Sequence, residues 1–333
     1  MSLPERLGRL RRVERLGVGG FASVWLYHDA ELRSDVAVKA LADNWAQRLD
    51  VRERFVEEAR ILRRADSDHI VRVYDVGEAD GTPYFVMSYA DRGSLGPLVE
   101  AGRPVDPGRV LDLVEQAADG LRVLHGLGVV HRDITPHNLL LRTSGTDGGE
   151  RLLVADLGVA KALLHASGLT QVVGTPAYMA PEQATGEPID VRADVHALGA
   201  VAYHLLTGHP ARRGSVAEVA RALPPRPADE LAELPPGVGA VLARALAPEP
   251  GHRWPDVDAF VLALRAAVPA VEAAPHRVTT VWQGAAAPPL EGTTLGGDAG
   301  HAGRSVRWPL VLISLLVAVA CFGAAYAATS LLT

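Results

Sequence analysis

The residues best suited to chemistry lie in a short polar run, HRDITPHN, at residues 131–138. A loop of this length can direct the carboxylate of Asp133 and the amide of Asn138 into one site. Asp156 follows in LLVADLG, which we interpret as a buried strand ending in that carboxylate. Carboxylate and amide oxygens are the hard ligands that Mg²⁺ prefers. The pattern therefore predicts a magnesium site at Asn138 and Asp156, beside Asp133.

Lysine is scarce in this chain, which makes its position informative. Lys39 and Lys161 are the two lysines among 33 Lys and Arg residues. Lys39 ends the apolar run VAVK, where a compact ammonium can contact phosphate oxygens and also pair with a carboxylate. An amphipathic helix predicted at 49–65 places Glu58 on its apolar face, where an unpaired carboxylate is costly. We therefore expect a buried Lys39–Glu58 ion pair; a solvated surface glutamate is the alternative.

A glycine-rich stretch, LGVGGFASVW (16–25), lies between two runs that suit β-strands, so its glycines are predicted at a hairpin. Glycines lack Cβ and let backbone N–H groups approach a polyphosphate closely. A dinucleotide fold is not indicated, because it requires a helix directly after the glycines. For this stretch alone, an ordinary glycine turn is the alternative.

The composition restricts the class of protein. The net charge is −6 and no basic stripe is present, so we expect no nucleic-acid partner. The single cysteine, Cys321, cannot form an internal disulfide, which favours a reduced, cytoplasmic main body. The charged N-terminus has no apolar segment of the kind found in signal peptides.

The C-terminal part differs from the rest. Residues 269–307 are rich in Ala, Pro, Gly and Thr and are predicted to form a flexible juxtamembrane linker. Residues 308–330 carry no charge and exceed the ~20 residues that a spanning helix needs. Arg304 and Arg307 precede them, so we expect a single-pass cell-membrane protein with its N-terminal domain cytoplasmic and its C-terminus outside. A buried core helix is the alternative.

The order of the motifs resembles the protein kinase superfamily. The set is G-x-G-G-F-A-x-V, V-A-V-K, a helical Glu, H-R-D-x-x-x-x-N, D-L-G and G-T-P-A-Y-M-A-P-E. GFASVW and GTPAYMAPEQATG are most similar to bacterial eukaryotic-like (Hanks-type) Ser/Thr protein kinases. The resemblance covers residues 10–268. It implies an α+β, two-lobed protein kinase fold, with a small β-rich N-lobe holding one key helix (about 10–87) and a larger, mainly helical C-lobe (about 91–268).

The resemblance also implies the site residues, with ATP and Mg²⁺ (or Mn²⁺) as cofactors. Lys39 would bind the α- and β-phosphates, and Asp133 would orient the acceptor hydroxyl and take its proton. Asn138 and Asp156 would hold the metal ions. The nucleotide-binding residues implied in this way are Leu16, Gly17, Val18, Gly19, Gly20, Phe21, Ala22, Ser23, Val24, Ala37, Lys39, Met87, Ser88, Ala90 and Leu140.

Three further residues are implied to have structural roles. Asp194, at the start of the apolar run ADVHALGAVAYHLL (193–206), would accept hydrogen bonds from the catalytic-loop backbone. Glu182 and Arg253 would form a buried ion pair that anchors the substrate-binding segment.

The resemblance implies roles in regulation and substrate specificity for three more residues. Arg132 would pair with a phosphate on the activation segment, for which Thr170 is the preferred residue. Thr175 would line the pocket for the acceptor hydroxyl, which favours protein substrates with Ser or Thr acceptors. Tyrosine specificity is the alternative.

Thr135 is the main departure from the family pattern, because most Ser/Thr kinases have a lysine there that contacts the γ-phosphate and the catalytic Asp. Removing one electrostatic stabiliser costs on the order of 10²–10³ in rate. A protonated His137 is one hypothesis for compensation.

We expect a membrane-anchored Ser/Thr protein kinase that also phosphorylates its own activation segment, favoured by self-association in the membrane. The main alternative is a nucleotide-binding pseudokinase or scaffold, which Thr135 alone supports. A small-molecule phosphotransferase is a third reading, against which the A-P-E segment argues.

Overall fold

The described part of the chain determines which predictions the structure can address. Thr170, Thr175, the linker at 269–307 and the predicted membrane segment at 308–330 all lie outside it. Among the residues that are described, no helix has both the length and the apolar character needed to cross a membrane. The computed structural model describes residues 3–145, 148–158, 176–212, 215–221, 234 and 237–268.

The N-terminal part is an antiparallel sheet with the strand order β1-β2-β3-β4-β6-β5. The predicted glycine hairpin is confirmed, because residues 19–21 join β2 to β3 and the Gly19 N–H donates to the Ala22 carbonyl over 2.8 Å. The strands are β1 Arg6–Leu7, β2 Leu10–Val18, β3 Ala22–Asp29, β4 Ser34–Leu41, β5 Val73–Ala79 and β6 Thr82–Ser88.

The register of the sheet determines which side chains share a face. Lys39 on β4 lies opposite Val24 on β3 and Phe85 on β6. Cross-strand partners point to the same face, and side chains alternate along each strand. The neighbouring set around Val38 therefore points to the opposite face, where Leu3 helps to cover it.

Two helices follow β4, α1 Asp43–Ala46 and α2 Leu49–Arg64, and α2 confirms the predicted amphipathic helix to within one residue. Its buried stripe includes Val51, Phe55 and Glu58, at the spacing of three to four residues that one helix face requires. Phe55 packs on Phe85 of β6 with the ring centroids 5.0 Å apart, so α2 lies against the Lys39 face of the sheet. This packing brings Glu58 within reach of Lys39.

The C-terminal part is mainly helical and adds one two-stranded hairpin. The apolar run at 193–206 forms the buried helix predicted for it, and Gly208, with φ 75°, ends that helix in a left-handed conformation. The elements are α3 Gly96–Glu100, α4 Pro107–Gly126, β7 Leu139–Ser144, β8 Gly149–Val154, α5 Pro181–Thr185, α6 Arg192–Thr207, α7 Val216–Ala220, α8 Val238–Ala245 and α9 Val257–Ala267.

The strand predicted to end at Asp156 was wrong at its C-terminal end. Strand β8 ends at Val154, two residues before Asp156. Asp156 has φ 59°, a left-handed conformation that cannot continue a strand.

Candidate active site

Lys39 lies between two carboxylates from separate parts of the chain. Its Nζ is 2.7 Å from Glu58 Oε1 and 3.0 Å from Asp156 Oδ1. Lys39 and Glu58 are both buried, with 7% and 2% of their surface exposed. The predicted ion pair is therefore confirmed. These contacts tie β4, α2 and the segment after β8 together at one point.

The charges of this cluster shift its pKa values. Burial alone would lower the pKa of Lys39, but the charges of Asp156 and Glu58 outweigh burial and raise it, so the ammonium stays charged. Burial raises the pKa of Glu58 to about 7, although the charge of Lys39 acts in the opposite direction. The negative charge of the nearby Asp156 acts in the same direction as burial.

The loop at 131–138 is held by a buried carboxylate beneath it. Asp194 Oδ2 accepts the His131 N–H over 2.8 Å, and its Oδ1 accepts the Arg132 N–H over 2.9 Å. His125 Nε2 is also 2.8 Å from Asp194 Oδ2. The predicted role of Asp194 is confirmed. Arg132 has φ 66°, and the Gln183 side chain donates to its carbonyl over 2.7 Å, so a strained backbone is held from both sides.

His131 fixes the backbone on the other side of the loop. Its Nε2 donates to the Ala155 carbonyl over 3.0 Å, and its Nδ1 accepts the Asp133 N–H over 3.3 Å. Burial lowers the pKa of His131, which keeps the ring neutral, as this pair of bonds requires. Sequence reasoning gave His131 no role, although the HRD motif was the available signal.

Asp133 and Asn138 form one unit. The Asn138 amide donates to both the Asp133 carbonyl and Asp133 Oδ2, each over 2.7 Å. The Asn138 backbone carbonyl accepts the Ala155 N–H over 2.9 Å, so the loop is joined to the segment that carries Asp156. The predicted convergence of Asp133, Asn138 and Asp156 in one site is thus confirmed.

Gly158 explains the close approach of these two segments. Its N–H donates to the His131 carbonyl over 3.0 Å. A Cβ at this position would lie 3.1 Å from the same carbonyl oxygen and 3.2 Å from the Asp133 Cβ. A side chain at this position would crowd the catalytic loop, so the glycine of the D-L-G motif suits the close packing of the two segments, which the sequence interpretation did not state.

The oxygen atoms of the site fit a hard divalent cation. The NH₂ group of Asn138 donates to Asp133, so the amide oxygen of Asn138 can still accept a ligand. The side chain of Asp156 is 38% exposed. Within the described ranges, no cluster of three or more His, Cys, Asp or Glu residues could hold a metal ion by itself. One carboxylate and one amide suit Mg²⁺, which usually takes its other ligands from water and phosphate oxygens.

An apolar cluster adjoins this polar site. Ala37 and Met87 are buried in the main core, and Val24, Ala90 and Leu140 pack against the same core at half-buried positions. Ala37 on β4 and Met87 on β6 are direct cross-strand partners, so these two of the predicted nucleotide-binding residues lie side by side.

Ser88 contributes less than its place among the predicted nucleotide-binding residues implies. Its hydroxyl accepts the Arg72 N–H over 3.0 Å and its own N–H donates to the Arg72 carbonyl over 2.9 Å. Both groups are therefore turned toward the start of β5.

The glycine hairpin presents backbone rather than side chains. Cβ atoms added at Gly17 or Gly20 would meet no atom of the described residues within 4 Å, so the fold itself does not demand glycine there. The Trp25 indole donates to the Ser23 hydroxyl over 3.0 Å, which directs Ser23 to the face opposite Val24. Leu16 and Val18 are exposed. Room for close backbone approach to a ligand is the physical explanation for the two glycines.

The predicted ion pair between Glu182 and Arg253 is confirmed and almost fully buried. Arg253 Nη1 and Nη2 donate to the two Glu182 carboxylate oxygens over 2.6 and 2.7 Å. The remaining donors of the guanidinium bind the carbonyls of Ala247, Arg192 and Pro248. All five N–H groups of Arg253 are thus used, which fixes the segment around Glu182 to the helical core.

The structure places Thr135 and His137 differently. Thr135 is buried, with 6% of its surface exposed, and precedes the short 3₁₀ turn Pro136–Asn138. The ring of His137 lies beside Gly96 and 3.8 Å from Glu100, both on α3. Its contacts with α3 give the compensation hypothesis no support.

Comparison with known proteins agrees with this geometry. The protein kinase domain family matches residues 10–223. The chain is 37% identical over 268 residues to the serine/threonine-protein kinase PknB of Mycolicibacterium smegmatis, covering 76% of this chain and 42% of that protein. It is 36% identical over 272 residues to the serine/threonine-protein kinase Pkn1 of Myxococcus xanthus, covering 79% and 39%. It thus spans about two fifths of the length of these relatives.

The fold is similar to a solved kinase domain as well. The crystal structure of the Mycobacterium tuberculosis PknI kinase domain superposes with a TM-score of 0.62 at 29% identity, over 80% of this chain and 100% of that one. The two-lobed arrangement, with a β-rich N-lobe and a helical C-lobe, is therefore confirmed. The chain belongs to the protein kinase family, within the bacterial Hanks-type Ser/Thr branch.

Proposed function

We propose that this chain is an ATP- and Mg²⁺-dependent protein kinase that phosphorylates Ser and Thr hydroxyls of protein substrates. The observation that carries the proposal is the Lys39 cluster, in which one buried ammonium contacts both Glu58 and Asp156. The hydrogen-bonded Asp133–Asn138 unit adjoins it through Ala155. Lys39, Glu58, Asp133, Asn138 and Asp156 are the groups that phosphoryl transfer uses in this family, which favours an active kinase over a nucleotide-binding scaffold.

The proposed reaction assigns a task to each group. The Asp133 carboxylate orients the acceptor hydroxyl and takes its proton as the oxygen attacks the γ-phosphorus of ATP, and ADP leaves as the γ–β bridging bond breaks. Lys39, fixed by Glu58, holds the nucleotide phosphates. Asn138 and Asp156 would hold Mg²⁺, which neutralises negative charge on the phosphates when bound.

Protein substrates are supported by the buried Glu182–Arg253 pair. This pair fixes the segment from Pro176 to Glu182 on the helical core, and Gln183 joins the same segment to Arg132 of the catalytic loop. A peptide bound along this segment would therefore be held at a constant position relative to Asp133. We propose that Thr175 completes the acceptor pocket and that Thr170 is a site of autophosphorylation.

We further propose that the chain is anchored in the cell membrane by residues 308–330. The proposal is supported by the uncharged composition of this stretch and by Arg304 and Arg307 directly before it. Self-association in the bilayer would raise the local concentration and favour autophosphorylation between copies. Membrane fractionation of cells expressing the full chain, compared with a chain in which Leu312 and Leu316 are replaced by Arg, tests the anchor.

The central experiment is transfer of label from γ-labelled ATP with Mg²⁺ by the purified full-length chain and an Asp133→Asn variant. We expect label on Ser and Thr with the first protein and none with the second. Nucleotide binding is measured in parallel with a fluorescent ATP analogue. Binding without any transfer would overturn the kinase proposal and indicate a nucleotide-binding scaffold.

A further inference from the structure

A tryptophan outside the family motifs contacts the tip of the glycine hairpin. The Trp45 indole N–H on α1 donates to the Gly20 carbonyl over 2.8 Å. Its ring lies 5.1 Å from the ring of Phe21, centroid to centroid, at an interplanar angle of 31°. Trp45 is half-buried and packs against the main core. One side chain thus supplies both a polar and an aromatic contact to the hairpin tip.

These contacts fix the orientation of two consecutive peptide planes. The Gly20 carbonyl points to Trp45, and the Phe21 carbonyl accepts the Ala42 N–H over 2.7 Å. In a planar trans peptide the C=O and the following N–H point in opposite directions. The N–H groups of Phe21 and Ala22 are therefore directed away from the segment between β4 and α2. The Phe21 N–H has no acceptor within the part of the chain that the structure describes.

The position of Trp45 connects the hairpin to the rest of the site. Trp45 lies in the segment that joins β4, the strand of Lys39, to α2, the helix of Glu58. The Arg48 guanidinium lies 5.8 Å from the Trp45 ring centroid and is held by two hydrogen bonds to Asp50 at the start of α2. A chain of contacts through Trp45 and Arg48 therefore connects the hairpin tip to α2, the helix that carries Glu58.

We propose that Trp45 is a positioning residue for nucleotide binding. It holds the tip of the hairpin so that the Phe21 N–H is oriented to donate to the terminal phosphates of ATP. This inference rests on the proposed function, because it assumes that a nucleotide polyphosphate binds beneath the hairpin. Backbone N–H groups arranged in this way form sites for anions. Without the indole N–H, the Gly20–Phe21 peptide can rotate, and ordering it again on binding costs affinity.

The test is a Trp45→Phe variant of the full-length chain, which retains an aromatic ring beside Phe21 but lacks the N–H donor. The matched control is Trp254→Phe in the C-lobe. Trp254 makes the same types of contact, since its indole donates to the Val241 carbonyl over 3.1 Å and Arg244 lies 3.9 Å from its ring centroid. Both variants therefore lose one indole-to-carbonyl hydrogen bond, but only one of these bonds involves the hairpin.

The measurements are the Kd of a fluorescent ATP analogue with Mg²⁺, the KM for ATP, and kcat. Loss of a hydrogen bond of ordinary net strength corresponds to roughly 2- to 10-fold in affinity. We expect Kd and KM for ATP to rise by that factor in Trp45→Phe, with kcat at saturating ATP within about 2-fold of wild type, and neither constant to change in Trp254→Phe.

The outcomes separate this inference from the proposed function. Wild-type Kd in Trp45→Phe overturns the inference, as does an equal loss of affinity in Trp254→Phe, which would show a general loss of stability. Absence of phosphate transfer in the wild-type chain, with nucleotide binding intact and weakened by Trp45→Phe, overturns the proposed function alone. A wild-type chain that binds no nucleotide overturns both.

Discussion

Substitution of Arg253 is expected to destabilise the C-lobe strongly. Its guanidinium is buried with Glu182, and all five of its N–H groups donate hydrogen bonds. Arg253→Met removes the only charge that the Glu182 carboxylate contacts among the described residues and leaves three carbonyls without this donor. Breaking a buried ion pair in this way costs about 3–5 kcal/mol of the free energy of unfolding.

Arg253→Lys separates charge from geometry. The variant retains the positive charge but has three donors instead of five and cannot form the bidentate contact with Glu182. Losing at least two hydrogen bonds at about 1 kcal/mol each predicts a cost of about 2–3 kcal/mol. The smaller loss than in Arg253→Met would reflect the charge that lysine keeps.

Equilibrium unfolding of the full-length chain in urea, followed by tryptophan fluorescence, measures both variants. The matched control is Arg265→Met. Arg265 also pairs with a glutamate, Glu115, over 2.7 Å, but 62% of its side chain is exposed to solvent. Exposed ion pairs contribute little to stability, so this variant is expected to unfold close to wild type. The reasoning is refuted if Arg253→Met is no less stable than Arg265→Met.

Further predictions concern the catalytic groups. The pKa of Glu58 is raised to about 7, so the Glu58 carboxylate takes up a proton as the pH falls through neutrality and its ion pair with Lys39 is lost. The rate of phosphate transfer should therefore decrease below about pH 7. A Glu58→Gln variant should be slow at every pH and lack this decrease. Gly158→Ala places a Cβ 3.1 Å from the His131 carbonyl oxygen, so we expect kcat in label-transfer assays to decrease. A wild-type kcat would contradict the packing argument. Thr135→Lys supplies the missing positive charge and should raise kcat, by up to the order of 10²–10³ associated with one electrostatic stabiliser; an unchanged initial rate would show that the charge is not needed here.

The ion pairs of the site could be predicted because each pair involves residues marked by a short stretch of sequence or by a family motif. Glu58 lies on the apolar face of a strongly periodic helix, and Lys39 is one of two lysines in a chain that otherwise uses arginine. Such features are visible without tertiary structure. The Glu182–Arg253 pair lay within motifs that the family resemblance identified.

Apart from the contacts of Asp194, which the family resemblance implied, hydrogen bonds between side chains and the backbone of the site could not be predicted. The Ser88 hydroxyl bonds to the Arg72 N–H and the Trp45 indole bonds to the Gly20 carbonyl, and a backbone group has no residue-specific signature in a sequence. Which loop a half-buried tryptophan packs against is determined by the packing of distant elements. The left-handed conformation of Asp156 likewise has no signature in the sequence.

The burial of Lys39 has a practical consequence for chemical labelling. In a chain with two lysines, reagents that acylate amines have very few targets, and Lys39 is one of them. In the folded protein its Nζ is charged and enclosed by Glu58 and Asp156, so it is a poor nucleophile. Acylation of Lys39 requires the cluster to open and the ammonium to lose its proton. The rate at which this single residue is modified, followed by mass spectrometry, therefore reports how often the contacts of Lys39 with Glu58 and Asp156 open.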